Sequence, residues 1–449
     1  MTDIIYNTFC RIISEFNNLL WGIGIFCLIA FIGIYFTIRI KLFNIIHIVN
    51  ILKKIFSTSP DESNKCDKGK ISHFQALSTA LAASMGTGNI IGVAAAISIG
   101  GPGAIFWMWL SGILGTSIGL VENTLGHLFQ SKGKGPMGYI SCAFRSDRVA
   151  LIYALLCVAA SFGIGNITQS NAISAAALEF SIPPCISGIV TAVFVALVIF
   201  RGGRKVASAA EKLVPFVAAI YLIGAIIIIV YYGNYVSDIL ILIVKSAFGF
   251  EQISGGFSGT ILRKSISTGL RRGIFSNEAG LGSSVLVHSE THTKSAVEMG
   301  MFSVAEVIID TIICCTATAF VILLTDATSS GAEGLSLVTE GFRNLMGNFS
   351  PIFVSVTTII FAFCTLIGWY FYGEKCLEFS NKNGNSKAVF CYRFFYVTAV
   401  FIGAVSRLQL VWEIADIFNW FMLVINLTAV IILHDKAVKE INNYTFSIK

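Results

Sequence analysis

The sequence predicts an all-helical protein that crosses a membrane about eleven times. Its mean hydropathy is +0.78, 55% of its 449 residues are apolar and only 12% are charged, whereas soluble domains carry roughly 25% charged residues. Apolar runs of about 20 residues recur along the chain, and that length spans a bilayer as a helix. The alternating segments of about 10 residues that are typical of outer-membrane barrels do not occur. The expected surroundings are therefore a lipid bilayer, and no nucleic-acid partner is expected.

The apolar runs divide the chain into eleven predicted spans. They lie near residues 18–38, 74–99, 103–129, 149–180, 184–200, 212–232, 265–290, 296–325, 351–378, 388–406 and 411–434. The first run is too long for a signal-peptide core of about 7 to 15 residues, so it is expected to remain as an uncleaved helix. The predicted units are an N-terminal helix with a basic loop (1–73), five helices (74–232), a connection (233–264), five more helices (265–434) and a tail (435–449).

Lysine and arginine residues predict the orientation, because basic loops are retained on the cytoplasmic side. The loops after the first, third and fifth spans carry Lys53, Lys54, Lys65, Lys68, Lys70, Lys132, Lys134, Arg145, Arg148, Arg201, Arg204, Lys205 and Lys212. This pattern places the N-terminus and the 233–264 connection outside and the C-terminus in the cytoplasm. The expected location is the plasma membrane, which in bacteria is the inner membrane. Four basic residues, Arg263, Lys264, Arg271 and Arg272, lie at the outer entrance of the seventh span, so they must face protein or water there.

Two predicted spans share a polar, glycine-containing interruption. STAL at 78–81 precedes MGTGN at 85–89 in the second span, and STGL at 267–270 precedes SNEAG at 276–280 in the seventh. Because an offset of five helices reverses the orientation in the membrane, the two five-helix units are predicted to be inverted repeats. Glycine costs roughly 1 kcal/mol in a helix interior, and unwound backbone at membrane depth is tolerated only where it lines a cavity or is buried in protein. The paired interruptions therefore predict a binding site.

The ends of such broken helices favour a zwitterionic ligand. The half-helix that begins after Gly88 would present free N–H groups and a partial positive charge, which suit a carboxylate. Unpaired carbonyls at the ends of the preceding half-helices suit an ammonium group or a bare sodium ion. The alternative for residues 86–89 is a kink that lets helices pack closely, but the matching interruption at 276–283 favours the binding site.

Six carboxylates lie at or near membrane depth, where a charge costs at least about 2.5 to 3.5 kcal/mol. They are Glu122, Glu278, Glu306, Asp310, Glu374 and Asp416. Each is predicted to be held by an ion pair or a hydrogen bond, with Arg271 and Arg272 as possible partners. Glu278 is the expected exception because it lies in an interruption. The fourth span also carries three amides, Asn166, Gln169 and Asn171, which suit helix-to-helix hydrogen bonds and ligand contacts equally well.

With these features, the chain resembles the bacterial and archaeal alanine or glycine:cation symporters, often called sodium:alanine symporters, over nearly its whole length. The resemblance rests on FQAL at 74–77, GTGNI at 86–90, GGPGAIFWMW at 100–109, RGIFSNEAGLGS at 272–283 and YGEK at 372–375, together with Gly165, Asn166, Gln169, Asp310, Thr311, Gly368 and Trp369.

The resemblance implies the five-plus-five inverted-repeat fold of the bacterial leucine transporter, with the helix at 18–38 as an additional N-terminal element. It also implies import of alanine or glycine together with Na⁺ by alternating access. By this resemblance Thr87 and Gly88, with Asn89 beside them, would meet the substrate carboxylate. Gln169 would hydrogen-bond the substrate, and Asn277 with nearby backbone would hold its amine.

The same resemblance implies a small side-chain pocket and a sodium site. Trp369 would limit the pocket, which favours alanine or glycine. Sodium would bind the Thr365 hydroxyl and the carbonyls near Ala83 and Gly86, because hard cations prefer oxygen ligands. Cys364 stands where family members usually carry serine, and sulfur is a poor ligand for sodium.

Several alternatives to sodium-coupled transport follow from the same residues. A proton-coupled amino acid carrier would use Glu278 or Glu306 as its proton site. An ion channel belongs to a different class, and the paired broken helices argue against it. No phosphate-binding loop or H-E-x-x-H sequence occurs, so no enzyme activity, no cofactor and no metal other than the coupling ion is expected.

Overall fold

A computed structural model of the chain describes residues 11–444 except for 18, 58–70, 250–257, 292, 294, 382–385 and 407. The described residues are almost entirely helical, and their β contacts amount to one isolated bridge between Ile71 and Thr291. The predicted all-α fold class is therefore confirmed.

An N-terminal arm precedes the two repeats. It contains α1 (Ile23–Arg39), the short α2 (Phe43–Ile46) and α3 (Ile48–Ser57). The sequence predicted only a loop after residue 38, so α2 and α3 are a correction to that prediction. The alternation of apolar residues with Lys53 and Lys54 gives α3 an apolar face, and Ile51 on that face is fully buried.

The first repeat begins with a broken helix. Its first half, α4 (His73–Ser84), starts at a capping box in which Ser72 and Gln75 satisfy each other's backbone N–H groups. A π-helical turn (Gly88–Gly92) and α5 (Val93–Gly100) form the second half, bent by 51° from the first. The repeat continues with α6 (Gly103–Leu128), α7 (Pro136–Phe144), α8 (Asp147–Phe162), a π-helical turn (Gly163–Ile167), α9 (Thr168–Leu178), α10 (Pro184–Ile199) and α11 (Gly203–Tyr231).

The second repeat also begins with a broken helix. After α12 (Val236–Ala247), the chain forms α13 (Ser258–Asn277), an interruption, and α14 (Ser283–His288). The repeat continues with α15 (Ala296–Val307), a π-helical segment (Ile308–Cys315), α16 (Thr316–Leu324), α17 (Gly334–Met346), α18 (Ser350–Ser380), α19 (Ser386–Val405) and α20 (Leu408–Asn443). Each repeat thus comprises one broken helix and four further long helical units, with the shorter α7 in the first repeat and α17 in the second.

The helix ends define two faces of the protein. The bridge between Ile71 and Thr291 shows that the first broken helix begins where the second one ends, so the two broken helices run in opposite directions, as inverted repeats require. Lys54, Lys134 and Lys375 lie at this face, which is termed the lysine-rich face. The beginnings of α1, α13 and α20 form the opposite face.

Helix length and composition alone support fewer membrane spans than the eleven that were predicted. Within the described part of the chain, seven helices are long and apolar enough to cross a membrane, or eight if the bent pair is one span. The apolar helices at Gly24–Arg39 and Pro184–Ile199 are shorter, and the basic residues of α13 lower its hydropathy. Each of the eleven predicted runs coincides with a helix or a broken helix, whereas α7, α12 and α17 were not predicted.

Candidate ligand-binding site

In the first interruption, backbone N–H groups turn away from the helix and bond to side chains. The Gly86 N–H donates to the Ser84 carbonyl at 2.9 Å and to Asn89 Oδ1 at 3.1 Å, and the Thr87 N–H donates to Gln169 Oε1 at 3.3 Å. In a continuous helix these two N–H groups would bond to the carbonyls of residues 82–83. Those carbonyls are consequently released from the helical pattern at the end of α4.

The second interruption releases carbonyls in the same way. The N–H groups of residues 279–281 bond in turn to Asn277 Oδ1 at 3.0 Å, Glu122 Oε1 at 3.4 Å and the Glu278 carbonyl at 3.1 Å. A continuous helix would instead direct these N–H groups to the carbonyls of residues 275–277. The end of α13 therefore presents the carbonyls of Ser276 and Asn277 without their helical donors, which gives it a partial negative charge.

The two interruptions face each other across one buried carboxylate. Asn89 Nδ2 donates to Asp310 Oδ1 at 2.7 Å, and Ser276 Oγ donates to Asp310 Oδ2 at 2.5 Å. A Cβ built on Gly88 would lie 3.5 Å from the ring of Phe275, so the backbones of the two broken helices are in close contact. Asp310 is completely buried and joins both repeats through neutral donors.

The residues predicted to bind sodium lie together on α4 and α18. A Cβ built on Gly86 would lie 2.3 Å from Thr365 Oγ1, and one built on Gly368 would lie 2.6 Å from the backbone nitrogen of Ala83. These two glycines allow α18 to lie directly against the end of α4, where the Ala83 carbonyl has lost its helical donor. Cys364 precedes Thr365 and is also completely buried.

Trp369 lies beside the third helical unit of the first repeat. A Cβ built on Gly165 would lie 2.1 Å from Trp369 Cβ, so only glycine fits at position 165. Thr87 Oγ1 and the Tyr372 hydroxyl are buried polar atoms with no hydrogen-bond partner among the described residues. Such atoms are uncommon in folded proteins, and their position around the interruptions indicates a site for a polar ligand.

The amides of Gln169 and Asn277 are bonded to the protein itself. Gln169 accepts from the Thr87 N–H and donates to the Ile164 carbonyl at 3.1 Å. Asn277 accepts within its own interruption and donates to Ser111 Oγ at 3.3 Å. Both side chains therefore hold the interruptions in shape, in addition to the direct ligand contacts predicted for them.

The other two amides of the fourth predicted span join helices. Asn166 Nδ2 donates to the Tyr396 carbonyl at 2.8 Å. Asn171 Nδ2 donates to the carbonyls of Gly403 at 3.1 Å and Ser406 at 2.6 Å. Of the two interpretations that the sequence left open, helix-to-helix bonding is the one that applies to these residues.

The remaining buried carboxylates have partners, as the cost of burying a charge predicts. The pairs are Glu278 with Ser283 at 2.6 Å, Glu306 with His288 at 3.2 Å, Glu374 with Arg393 at 2.7 Å, and Asp416 with Arg271. Glu278 has a φ of +53°, which is uncommon for a residue other than glycine and marks local strain in the second interruption. Among the described residues, no group of three His, Cys, Asp or Glu side chains could hold a metal ion.

Contacts at the lysine-rich face hold the end of the second broken helix. Glu290 lies just after α14, and its carboxylate is 3.0 Å from Lys134 Nζ and 3.5 Å from Lys375 Nζ. Next to it, Gln130 Nε2 donates to the Ser289 carbonyl at 2.7 Å. These contacts connect the segment to α18 and to the chain after α6, and they close this face.

At the opposite face, Arg271 of α13 pairs with Asp416 of α20. The guanidinium also lies 6.0 Å from the ring of Trp21, whose Nε1 donates to the Asp416 carbonyl at 3.2 Å. The pair explains how Arg271 is accommodated at the entrance of the seventh predicted span, because the arginine faces protein. The N-terminal arm therefore covers an ion pair between the two ends of the second repeat.

Several residues that hold the interruptions together were not predicted from the sequence. Ser276 was only part of a motif, and Thr311, which donates to Asp310 at 2.9 Å, was noted only for its resemblance. Ser111 and Asn426 were not considered. The π-helical segments at 88–92, 163–167 and 308–315 were also unexpected, and the first and the third adjoin the interruptions. Short π segments often occur at functional sites, but no residue pattern signals them.

Comparison with known proteins identifies the family to which this chain is similar. Residues 6–449 match the model of the sodium:alanine symporter family. A probable sodium/glutamine symporter, GlnT of Bacillus subtilis, is 36% identical over 97% of this chain and 90% of its own length. The sodium/alanine symporter AgcS of Methanococcus maripaludis is 35% identical over 96% of each chain, and the amino-acid carrier protein AlsT of Bacillus subtilis is 34% identical over 98% of this chain and 92% of its own length.

Proposed function

Because this chain belongs to the sodium:alanine symporter family, we propose that it imports alanine or glycine together with Na⁺. The family consists of transporters, so the chain is a multi-pass membrane transporter and not an enzyme. The observation that carries the proposal is the pair of opposed helix interruptions joined through Asp310. They bring the start of one half-helix at Gly88 and carbonyls without helical donors together in a buried part of the protein.

The substrate carboxylate binds at the first interruption. Thr87 Oγ1 is a buried hydroxyl with no partner among the described residues, and the Gly88 N–H lies at the start of the second half-helix, where the helix dipole favours an anion. Asn89 acts beside them by holding the Gly86 N–H and by contacting Asp310. Its role in substrate binding is therefore to keep the interruption open.

The substrate amine binds at the second interruption. The carbonyls of Ser276 and Asn277 lack their helical donors, and an ammonium group can donate hydrogen bonds to such acceptors. Asn277 shapes this end by bonding to the N–H of Ala279. Gln169 contributes from the fourth predicted span through its contact with the Thr87 N–H.

A small substrate side chain is favoured by the crowding around Trp369. This indole is completely buried, and Gly165 lies directly against its Cβ. Alanine and glycine carry the smallest side chains among the amino acids, so they suit this space. Because one relative is described as a probable glutamine symporter, glutamine is the competitor that has to be tested.

Sodium binds between α4 and α18. The ligands are the Thr365 hydroxyl and the carbonyls near Ala83 and Gly86, an all-oxygen set of the kind that hard cations prefer. Cys364 adds no useful ligand, so backbone oxygens supply more of this site than in relatives with serine. No cofactor takes part, and the energy comes from the ion, because one positive charge that moves inward gains about 2.3 kcal/mol per 100 mV.

Transport proceeds by alternating access across the plasma membrane, which in bacteria is the inner membrane. The lysine-rich face lies on the cytoplasmic side, as the basic loops predict. The Arg271–Asp416 pair closes the outer side, and the contacts of Glu290 close the inner side. Opening one set of contacts at a time exposes the buried site first to the outside and then to the cytoplasm.

Proton coupling is the second candidate, because Glu306 and His288 form a completely buried titratable pair on α15 and α14. Reconstituted protein distinguishes the candidates. Labelled alanine, glycine and glutamine are offered to proteoliposomes with an inward sodium gradient, an inward proton gradient, or neither. Uptake of alanine or glycine that requires sodium supports the proposal. Uptake that follows pH without sodium indicates a proton-coupled carrier, and sodium currents without any amino acid indicate a channel.

A further inference from the structure

Asn426 lies in α20, far along the chain from either interruption, yet its amide contacts the second one. Its Nδ2 donates to Glu122 Oε2 and to the Gly280 carbonyl, both at 2.8 Å, and its Oδ1 accepts from the Tyr139 hydroxyl. The side chain is completely buried. Both amide hydrogens are therefore used, and one of the two acceptors is the backbone of the interruption.

Two further side chains complete this contact, and with Asn426 they are termed the break clamp. Glu122 of α6 accepts the Gly280 N–H at 3.4 Å through its second carboxyl oxygen. Tyr153 of α8 donates to the Leu281 carbonyl at 2.6 Å. The three clamp side chains thus hydrogen-bond to the N–H and the carbonyl of Gly280 and to the carbonyl of Leu281.

The break clamp also fits closely around the backbone that it holds. Gly282 has a φ of +77°, and a Cβ there would lie 2.8 Å from Asn426 Oδ1 and 2.9 Å from the Tyr153 hydroxyl. The clamp takes up the polar groups of residues 280–281 and leaves the carbonyls of Ser276 and Asn277 without their helical donors, because the N–H groups of Gly280 and Leu281 bond elsewhere. It thereby separates the fixed part of the interruption from the part that can meet a ligand.

We propose that Asn426, acting with Glu122, is a positioning residue that orients the free carbonyls of the second interruption toward the substrate amine. The inference about the amine rests on the proposed function, whereas the effect on the backbone does not. The hydrogen-bond pattern is directional, because the two oxygens of Glu122 accept from two donors and the amide hydrogens of Asn426 are donated to two acceptors. Isosteric exchange of amide and carboxylate therefore breaks the pattern without changing the shape.

Three variants test this directionality. Asn426→Asp replaces the donor of residue 426 by an oxygen that faces two other oxygens, those of Glu122 and of the Gly280 carbonyl. Glu122→Gln replaces one accepting oxygen of residue 122 by an NH₂ group that faces another donor. Each is expected to raise the half-saturation constant for alanine at least about tenfold, the size of one lost hydrogen bond to a charged group, with a smaller change in maximal rate. The double variant restores one donor–acceptor pair with the partners exchanged, so its effect is expected to be smaller than the product of the two single effects.

Asn171→Asp is the matched control, since Asn171 also donates its amide to two backbone carbonyls, but between α9 and the end of α19. It is expected to change the half-saturation constant for alanine less than about twofold. Tyr153→Phe removes only one hydroxyl contact and provides a milder clamp variant if Asn426→Asp does not yield folded protein.

Hydrogen exchange of residues 278–282 without substrate tests the clamp independently of transport. Faster exchange in Asn426→Asp or Tyr153→Phe, and exchange like that of the unmodified protein in Asn171→Asp, are expected. If the unmodified protein takes up neither alanine nor glycine, the proposed function fails while this measurement still tests the clamp. The inference is overturned if exchange in the clamp variants is unchanged, or if the half-saturation effects of Glu122→Gln and Asn426→Asp simply multiply in the double variant.

Discussion

Substitution of Gly86 by alanine tests whether the first interruption and the Thr365 hydroxyl form one sodium site. The added Cβ would lie 2.3 Å from Thr365 Oγ1 and 3.2 Å from both Thr365 Cβ and Gln169 Oε1. Because the first distance is far below contact, the threonine side chain has to rotate and its hydroxyl leaves Gly86. Rotation alone does not relieve the contact with Thr365 Cβ, so α4 and α18 also have to separate slightly.

The size of the effect follows from these contacts. Overpacking of a buried site costs typically about 1 to 3 kcal/mol, and loss of one contact between a hydroxyl and a charged group costs about 1.5 to 3 kcal/mol. Since about 1.4 kcal/mol corresponds to a factor of ten, the sodium concentration that half-activates uptake is expected to rise roughly 10- to 100-fold. Thr365→Ala removes the hydroxyl without adding a clash and should have a similar effect, whereas Thr365→Ser should have little.

The assay is sodium-dependent alanine uptake in proteoliposomes for the Gly86→Ala, Thr365→Ala and Thr365→Ser variants and for the Gly86→Ala/Thr365→Ala double variant. The double variant removes the closest clash, so its sodium requirement should match that of Thr365→Ala rather than the product of both effects. Gly233→Ala is the matched control, because a Cβ there meets no atom within 4 Å. A normal sodium requirement in Thr365→Ala would refute the role of this hydroxyl, and normal uptake by Gly86→Ala would refute the close contact.

Three further predictions concern other parts of the site. Gly165→Ala should abolish uptake and lower the melting temperature of the purified protein. The new methyl group would lie 2.1 Å from Trp369 Cβ, and this atom cannot move away because it is attached to the backbone. An unchanged melting temperature would contradict this prediction. Cys364→Ser should lower the half-activating sodium concentration several-fold, because a hydroxyl is a better ligand for a hard cation than a thiol, and an unchanged or higher value would exclude position 364 from the site. Glu290→Gln keeps the side-chain shape but removes the charge that faces Lys375 at 3.5 Å, so hydrogen exchange of residues 289–291 should become faster, and exchange at the original rate would show that the ion pairs do not hold this segment.

Much of the fold could be predicted because its signals are local. Apolar runs of helical length mark the spans, and each predicted run coincides with a helix or a broken helix. The interruptions at 85–89 and 276–283 could be located because glycine and polar residues inside an apolar run conflict with a continuous helix in lipid. The amphipathic helices at Gly334–Met346 and Val236–Ala247 were missed, since their 13 and 12 residues are too few to span a bilayer.

The candidate site was predicted only in outline. The sequence identified Asp310 as a buried carboxylate that needs a partner, but it did not identify Asn89 and Ser276 as the donors on either side of it. Asn426 gave no signal at all, because an asparagine in an apolar helix has no pattern that connects it with residue 280. Gln169 was expected to contact the substrate, and its bond to the Thr87 N–H was not expected.

The sequence by itself determined that the chain is helical, that it lies in a membrane and that two of its helices are interrupted. Each of these properties depends on the composition of short segments, because the lipid interior offers the backbone no hydrogen-bond partners. Only the tertiary structure decided which side chains satisfy the interrupted backbone. Those partners lie as many as 158 residues away along the chain in the Glu122–Gly280 contact and 146 in the Asn426–Gly280 contact. They are brought together by the packing of the two repeats, and that packing depends on all of the helices at once.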